Sequence, residues 1–242
     1  MNDEKYYRAT QYPYLIPDYS FVFEGGEARP IRTADDVPVL NHRHPVIACG
    51  SNLSHERLKQ KYSKDAEPLP VIRMQLKNFD TVFAAHFAHY GAIPATLHPS
   101  PGTIVSLALN WLSDEQLVRM HETEKDNYHF CKLSRLDLMP EFGGPLDSAY
   151  AYISSTGCWT PLDTPIPLAA ISATKRQGDS LKQEDALELA RSRFAGDALL
   201  DSFIIENISS EHTRHDHAMA LQGTTQTFSY DYLEKLDMDM GL

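Results

Sequence analysis

Pro45-Val-Ile-Ala-Cys-Gly-Ser-Asn-Leu53 is the stretch on which the fold turns. Four apolar residues run into a tight Gly-Ser-Asn turn, and a helix-compatible segment, 54–62, follows. The pattern predicts a strand that delivers a turn with outward-facing backbone N–H groups. Gly50 lets the chain bend without a Cβ penalty, and several converging main-chain donors can hold a carboxylate. The same residues also suit an ordinary strand-to-helix connection, because Gly, Ser and Asn are common turn formers.

The composition narrows what surrounds this turn. The chain has 242 residues, 42% hydrophobic and 23% charged, which suits a packed core and argues against general disorder. Lys and Arg number 22 against 33 Asp and Glu, a net charge of −11. Nucleic-acid binding rests on clustered cations, so no nucleic-acid partner is expected. Cys49, Cys131 and Cys158 are odd in number and widely spaced, which disfavours a disulfide framework or a cysteine zinc site. The first residues lack an apolar run of signal-peptide length. No window reaches the length of a membrane span, so no membrane partner and a cytoplasmic location are expected.

Residues 1–44 read as an extended, tyrosine-rich arm, with a short hairpin near Phe21-Val-Phe23 and Gly25-Gly26. So many tyrosines suit packing on the core domain or, as a homodimer, on a second subunit. His42 and His44 read as a surface loop. Downstream, 69–76 and 81–85 read as strands joined by a turn at 77–80. Three prolines and two glycines exclude a helix over 90–102. A short edge strand over 93–97 and a Pro-Ser-Pro-Gly turn then lead to a buried strand, 103–111.

Ser113-Asp-Glu-Gln116 is a capping-box pattern that opens a helix through Glu124. At about 100° per residue, Leu117, Met120 and Glu124 share one face within roughly 60°. Glu122 projects away from that face. One carboxylate therefore sits on the inward stripe and the other faces solvent.

Residues 127–138, 148–155 and 166–174 read as further strands. Ser180-Leu-Lys-Gln183 opens a capped helix with the apolar stripe Ala186, Leu187, Ala190 and Phe194, and a second helix follows over 197–208. His212-Thr-Arg-His-Asp-His217 reads as a solvated turn, with no metal site expected anywhere in the chain.

Three motifs in order carry a resemblance: Cys49 to Leu53, Ala95-Thr-Leu-His-Pro-Ser-Pro-Gly102, and Met120-His-Glu-Thr-Glu-Lys125, with Tyr128 after them. Together they resemble the γ-glutamylcyclotransferase family. Its members carry Tyr-Gly-Ser-Asn-Leu on the first strand, an Ala-Thr-Ile-x-Pro-x-x-Gly segment, and a helix ending in Leu-Asp-x-x-Glu-Gly. The resemblance spans residues 45–175, leaving 1–44 as an N-terminal arm and 176–242 as a C-terminal helical extension packed on the core. It implies an α+β fold: a small, mixed, partly closed β-barrel with flanking helices. It also implies an enzyme that cyclises a γ-glutamyl amine to 5-oxoproline and releases the amine, without metal or organic cofactor. Glu124 takes the place of the general acid/base. Cys49, Gly50, Ser51, Asn52, Leu53 and Tyr128 take the substrate-binding positions.

The chemistry suits these residues. A glutamyl chain held bent brings its own α-amine onto its γ-carbonyl, and such intramolecular attack corresponds to effective molarities on the order of 10⁵ to 10⁸ M. The ammonium must lose a proton and the departing amine must gain one. One partly buried carboxylate can do both in turn.

Cys49 stands where the family has Tyr, and Lys125 where it has Gly. A larger or unusual amine on the glutamyl group is therefore expected. Two rivals remain at the level of sequence. A non-catalytic ligand-binding or interaction module could keep the fold without the chemistry. Alternatively Cys49 could be a thiol nucleophile of an amidohydrolase, activated by His86, His89 or His121.

Overall fold

Helix α1 (Asp3–Thr10) opens the structure, a computed structural model that describes residues 3–238. It carries Asp3 and Glu4 in its first turn and Arg8 in its last, the arrangement that suits a helix dipole. The expected extended arm is therefore helical at its start. The expected hairpin follows as β1 (Phe21–Glu24) and β2 (Glu27–Pro30). Next come β3 (His44–Ala48), one 3-10 turn at Ser51–Leu53, and α2 (His55–Lys61). Ser54 caps α2 by accepting from the Glu56 N–H.

β4 (Leu69–Phe83) and β5 (Ala95–Leu112) are the two longest strands. α3 (Asp114–Glu124), β6 (Tyr128–Pro140) and β7 (Leu146–Ser154) follow. After two short strands, β8 (Cys158–Trp159) and β9 (Ala173–Thr174), come α4 (Gln183–Phe194), α5 (Leu200–Ser209) and α6 (Glu211–Gln222). Two more short strands, β10 (Thr225–Gln226) and β11 (Leu233–Lys235), complete the described chain.

Five strands form a ring. β4 pairs with β5, β5 with β3, β3 with β7, and β7 with β6. β6 then returns to β4, with Met74–Leu76 opposite Leu138–Pro140. The barrel is thus closed, where the sequence suggested only partial closure. It is mixed because β3 and β7 run parallel while the other neighbours are antiparallel. Closure removes the free edges that an open sheet of this size would expose. One apolar core runs through the barrel and under the helices, with Phe83, Leu107, Leu109, Phe130, Trp159 and Phe203 among its buried members.

Several local expectations change. The residues 77–80 are a bulge inside β4 and not a turn: the register slips between Lys77 and Phe79. Asn78 adopts a left-handed φ of 65°, and its Oδ1 accepts the Gly102 N–H at 2.9 Å. Gly102, at φ 84°, lets β5 bend in step, so the Pro-Ser-Pro-Gly segment stays within one strand. Residues 166–174 do not form a strand. Only Ala173–Thr174 pairs, on β5, while Pro167 and Leu168 make isolated bridges. Proline at 165 and 167 removes the donors that a ladder needs there. The helix expected from Ser180 starts later, with Lys182 as its cap residue. The histidine-rich run is helical within α6, where the Ser210 side chain caps by accepting from Thr213 N–H.

α3 begins as its pattern predicts. Ser113 Oγ accepts from Gln116 N–H, and Gln116 Oε1 accepts from Ser113 N–H. The Gln116 side chain also receives Arg43 Nη1 and donates to the Glu67 carbonyl. Replacing Ser113 with Ala should cost about 1 kcal/mol. At this chain length that is a fall of about 2–4 °C in thermal midpoint, to be read by calorimetry.

Candidate active site

β3 ends at Ala48, and the chain crosses the barrel rim as Cys49 and Gly50 before the turn at Ser51–Leu53. Two hydrogen bonds close that turn: Leu53 N–H to Gly50 O at 3.0 Å, and Ser54 N–H to Ser51 O at 2.9 Å. Asn110 of β5 braces it by donating Nδ2 to the Asn52 carbonyl. Leu53 points inward and is 1% exposed. It anchors the turn to the core and does not line the cavity.

Gly50 meets its closest neighbour from outside the predicted motif. Tyr12, from the segment after α1, reaches in so that a Cβ at residue 50 would lie 2.3 Å from its hydroxyl. That hydroxyl accepts the Ala95 N–H at 2.9 Å, and the Ser51 backbone also faces it. Gly50 is thus required by the close approach of a phenol.

α3 brings its last residue to the same place. The Asn52 side chain donates Nδ2 to Glu124 Oε1 at 3.2 Å. Asn52 Oδ1 is buried and, among the described residues, has no hydrogen-bond partner. Lys61, the last residue of α2, also places its ammonium on Glu124 Oε1, and its Nζ lies 2.9 Å from Met120 Sδ. The Lys61 side chain is 1% exposed and that of Glu124 13%. Burial lowers the Lys61 pKa to about 8, against the opposing pull of Glu124. Glu122 lies elsewhere, exposed and paired with Arg119.

Glu124 and the turn after β3 face a cavity of about 210 Å³. Cys49, Gly50, Ser51, Asn52, Glu124 and Tyr128 all line it, along with Tyr12, Tyr90 and Tyr152. Burial raises the phenol pKa values of Tyr12, Tyr90, Tyr128 and Tyr152, so these rings are neutral hydrogen-bonding groups. Tyr128 donates to the Ala95 carbonyl at 3.0 Å. His86 packs edge-on against Tyr128, and burial lowers its pKa to about 4, so it is a neutral imidazole at neutral pH. Arg57 adds positive character to the wall and Asp126 negative, while burial lowers the His89 pKa and keeps that ring neutral.

The cysteine-nucleophile reading finds no activated thiol here. Burial, then Glu124, pushes the Cys49 pKa up to about 12. The histidines weighed as its base face other groups. His121 Nδ1 lies 2.7 Å from the Tyr152 hydroxyl, His86 faces Thr156, and His89 packs on Tyr90. Among the described residues no group of three or more His, Cys, Asp and Glu is placed to hold a metal ion, and no helix is long and apolar enough to cross a membrane.

Two principal contributors escaped the sequence reading. Lys61 had one usable signal: it lies three residues after Leu58 and shares its buried face. A lysine in the last turn of a helix is so ordinary that this signal is weak. Tyr12 had none, because its position opposite Gly50 arises from a long-range approach.

The fold and cavity define a mixed α+β protein built on a closed five-stranded barrel, with a polar, partly enclosed site at the barrel rim. No family model and no curated protein matches the chain. Its neighbours among solved structures include a gamma-glutamyl cyclotransferase, at 14% identity and a TM-score of 0.38, covering 78% of this chain and 91% of that one. An uncharacterized Homo sapiens protein is similar at 15% identity and 0.40, covering 73% and 99%. A solution structure of an Arabidopsis thaliana protein is similar at 14% and 0.37, covering 74% and 99%. The functional reading rests on the cavity and its residues, not on these likenesses.

Proposed function

We propose that this cavity cyclises a γ-glutamyl amine or amide to 5-oxoproline and releases the amine, with Glu124 moving the proton. One observation carries the reading: the Asn52 side chain, on the turn after β3, is in direct hydrogen-bond contact with Glu124 at the end of α3. A carboxylate and a cradle of polar groups, far apart in the chain, thus share one small wall. The motifs Cys49–Leu53, Ala95–Gly102 and Met120–Lys125 support the same reading from the sequence.

In this reading the Asn52 Oδ1, a buried acceptor, takes an N–H of the substrate ammonium. Glu124 accepts the proton that the ammonium must lose. The α-nitrogen attacks the γ-carbonyl carbon, a ring C–N bond forms, and the original amide C–N bond breaks. Glu124 passes that proton to the departing nitrogen, and the second proton shed by the attacking nitrogen follows the same route, so a lactam N–H and an ammonium are released and the carboxylate ends as it began. The buried phenols exclude water without adding charge, which favours cyclisation over hydrolysis. The volume suits a glutamyl group with a modest leaving amine.

A ligand-binding module is the second reading, and the Lys61 pair favours it: the ammonium already occupies one oxygen of the carboxylate. Incubation with a panel of γ-glutamyl amines and chromatography for 5-oxoproline separates the two. Product from at least one substrate is expected. Saturable binding without product would favour the module. Cys49→Ala should alter KM by a few-fold while turnover persists, and complete loss of turnover in that variant would revive the thiol mechanism.

A further inference from the structure

We infer that Lys61 is the positioning residue of this site: its buried ammonium holds Glu124 in one orientation by one oxygen and leaves the other to the ligand. The inference rests on the cyclase reading for its kinetic consequences, but the pairing itself can be tested without turnover.

The geometry has three parts. Lys61 Nζ and Asn52 Nδ2 both approach Oε1 of Glu124. Two donors on one oxygen fix the plane of the carboxylate, and Oε2 is left to meet an incoming N–H. Second, Lys61 is itself clamped. Its carbonyl accepts Arg119 Nε at 2.9 Å, which ties the end of α2 to α3, and Met120 packs on its Nζ. Third, the residue is nearly inaccessible, so the ammonium is not a surface cation that happens to lie nearby. Burying a lysine beside a cavity is costly unless it is paired. Among the described residues the carboxylate that meets it is the one proposed to move the proton.

The charged groups facing Lys61 are Glu124 and Arg119 from α3 and Arg57 from its own helix. Tyr62 beside it and Tyr152 from β7 are phenols with pKa values raised by burial, and His86 is a neutral imidazole. Glu124 alone favours the ammonium, whereas burial and the two arginines oppose it. The Lys61 proton is therefore lost within an experimentally convenient range, near pH 8. Glu124 then loses its anchor.

The test compares wild type, Lys61→Met and Lys61→Arg by 5-oxoproline release across pH 6 to 10. Wild type should show an alkaline limb near pH 8 in kcat. Lys61→Met should lose about 10²-fold in kcat with little change in KM, and lack that limb. Lys61→Arg should recover part of the loss and shift the limb upward, since guanidinium stays charged throughout. A Met variant with wild-type kcat and pH profile would overturn the inference, as would an Arg variant no better than Met.

Should either variant fail to fold, the wild type and Glu124→Gln proteins decide by heteronuclear NMR of the lysine side chains. The Lys61 resonance, assigned through its neighbours, should titrate near pH 8 in wild type, and lower in Glu124→Gln. A Lys61 that titrates at the same pH in wild type and in Glu124→Gln would overturn the pairing. If no γ-glutamyl substrate yields product in wild type, the cyclase reading and the kinetic role of Lys61 fall together, while the NMR result still reports on the pair.

Discussion

Glu124→Gln should lower kcat by about 10²- to 10⁴-fold, the usual contribution of a positioned acid/base group. An amide can occupy the same volume and can still accept from Lys61 and Asn52, but it cannot take the ammonium proton. Substrate affinity should therefore change much less than turnover. The variant should also be less stable, because Lys61 would remain buried without its counter-charge. Removing one partner of a buried ion pair costs about 3–5 kcal/mol when the other stays charged. Lys61 limits that loss by releasing its proton: its pKa is already lowered to about 8, and Glu124 is what holds it up. The linkage has a definite sign. A lysine with a folded-state pKa below its unfolded value binds fewer protons in the folded state between the two. Its contribution to stability therefore rises with pH from about 8 to the ordinary lysine range. In Glu124→Gln the window should open at lower pH. Glu122→Gln is the internal control. That side chain is exposed and touches Arg119, so kcat should stay within twofold, about ±0.4 kcal/mol in barrier. Equal activity of Glu124→Gln and wild type would remove Glu124 from the mechanism.

Gly50→Ala carries the second large effect. The new methyl carbon would lie 2.3 Å from the Tyr12 hydroxyl and 3.4 Å from Tyr12 Cζ and from Ala95 Cβ. The hydroxyl must leave, and its departure strands the buried Ala95 N–H. Overpacking of about 1–3 kcal/mol and an unpaired buried donor of about 1–3 kcal/mol together predict a loss of about 2–6 kcal/mol. For a chain of this length that is a thermal midpoint lower by about 4–24 °C. The Gly50 φ of −151° lies outside the left-handed region, and the cost argued here is that of the contact. Tyr12→Phe separates the causes. It removes the hydroxyl that the methyl strikes, at the cost of the same Ala95 hydrogen bond. The double variant Gly50→Ala with Tyr12→Phe should therefore lose less stability than the two single losses added together. Strict additivity in denaturant unfolding would mean that Tyr12 and Gly50 do not meet.

These two predictions draw on different parts of the chain's legibility. The α3 carboxylate was readable because a capping box set the helix start and a 3.6-residue period then set its faces. Glu124 and Glu122 separated on that wheel as they do in space, one against Lys61 and one against Arg119 in solvent. The turn after β3 was readable because Gly-Ser-Asn behind an apolar run leaves few alternatives. Leu53 was placed with the ligand-facing residues from its motif, but its side chain has only apolar burial to gain and turns into the core. The turn at 77–80 was misread because Asn in a left-handed conformation serves a bulge as well as a turn. Local sequence does not distinguish them; the partner strand, whose Gly102 bends in register, does.

By itself the sequence determined the alternation of strands and capped helices, the inward face of α3, and the tight turn at Gly50. Each depends on interactions within a few residues, so local periodicity carries it. Only the tertiary structure decided that the barrel closes through β6 and β4, that Tyr12 fills the space a side chain at residue 50 would need, and that Lys61 meets Glu124. Those outcomes depend on how distant segments pack against a shared core, and no pattern within a single segment records which surface it will meet.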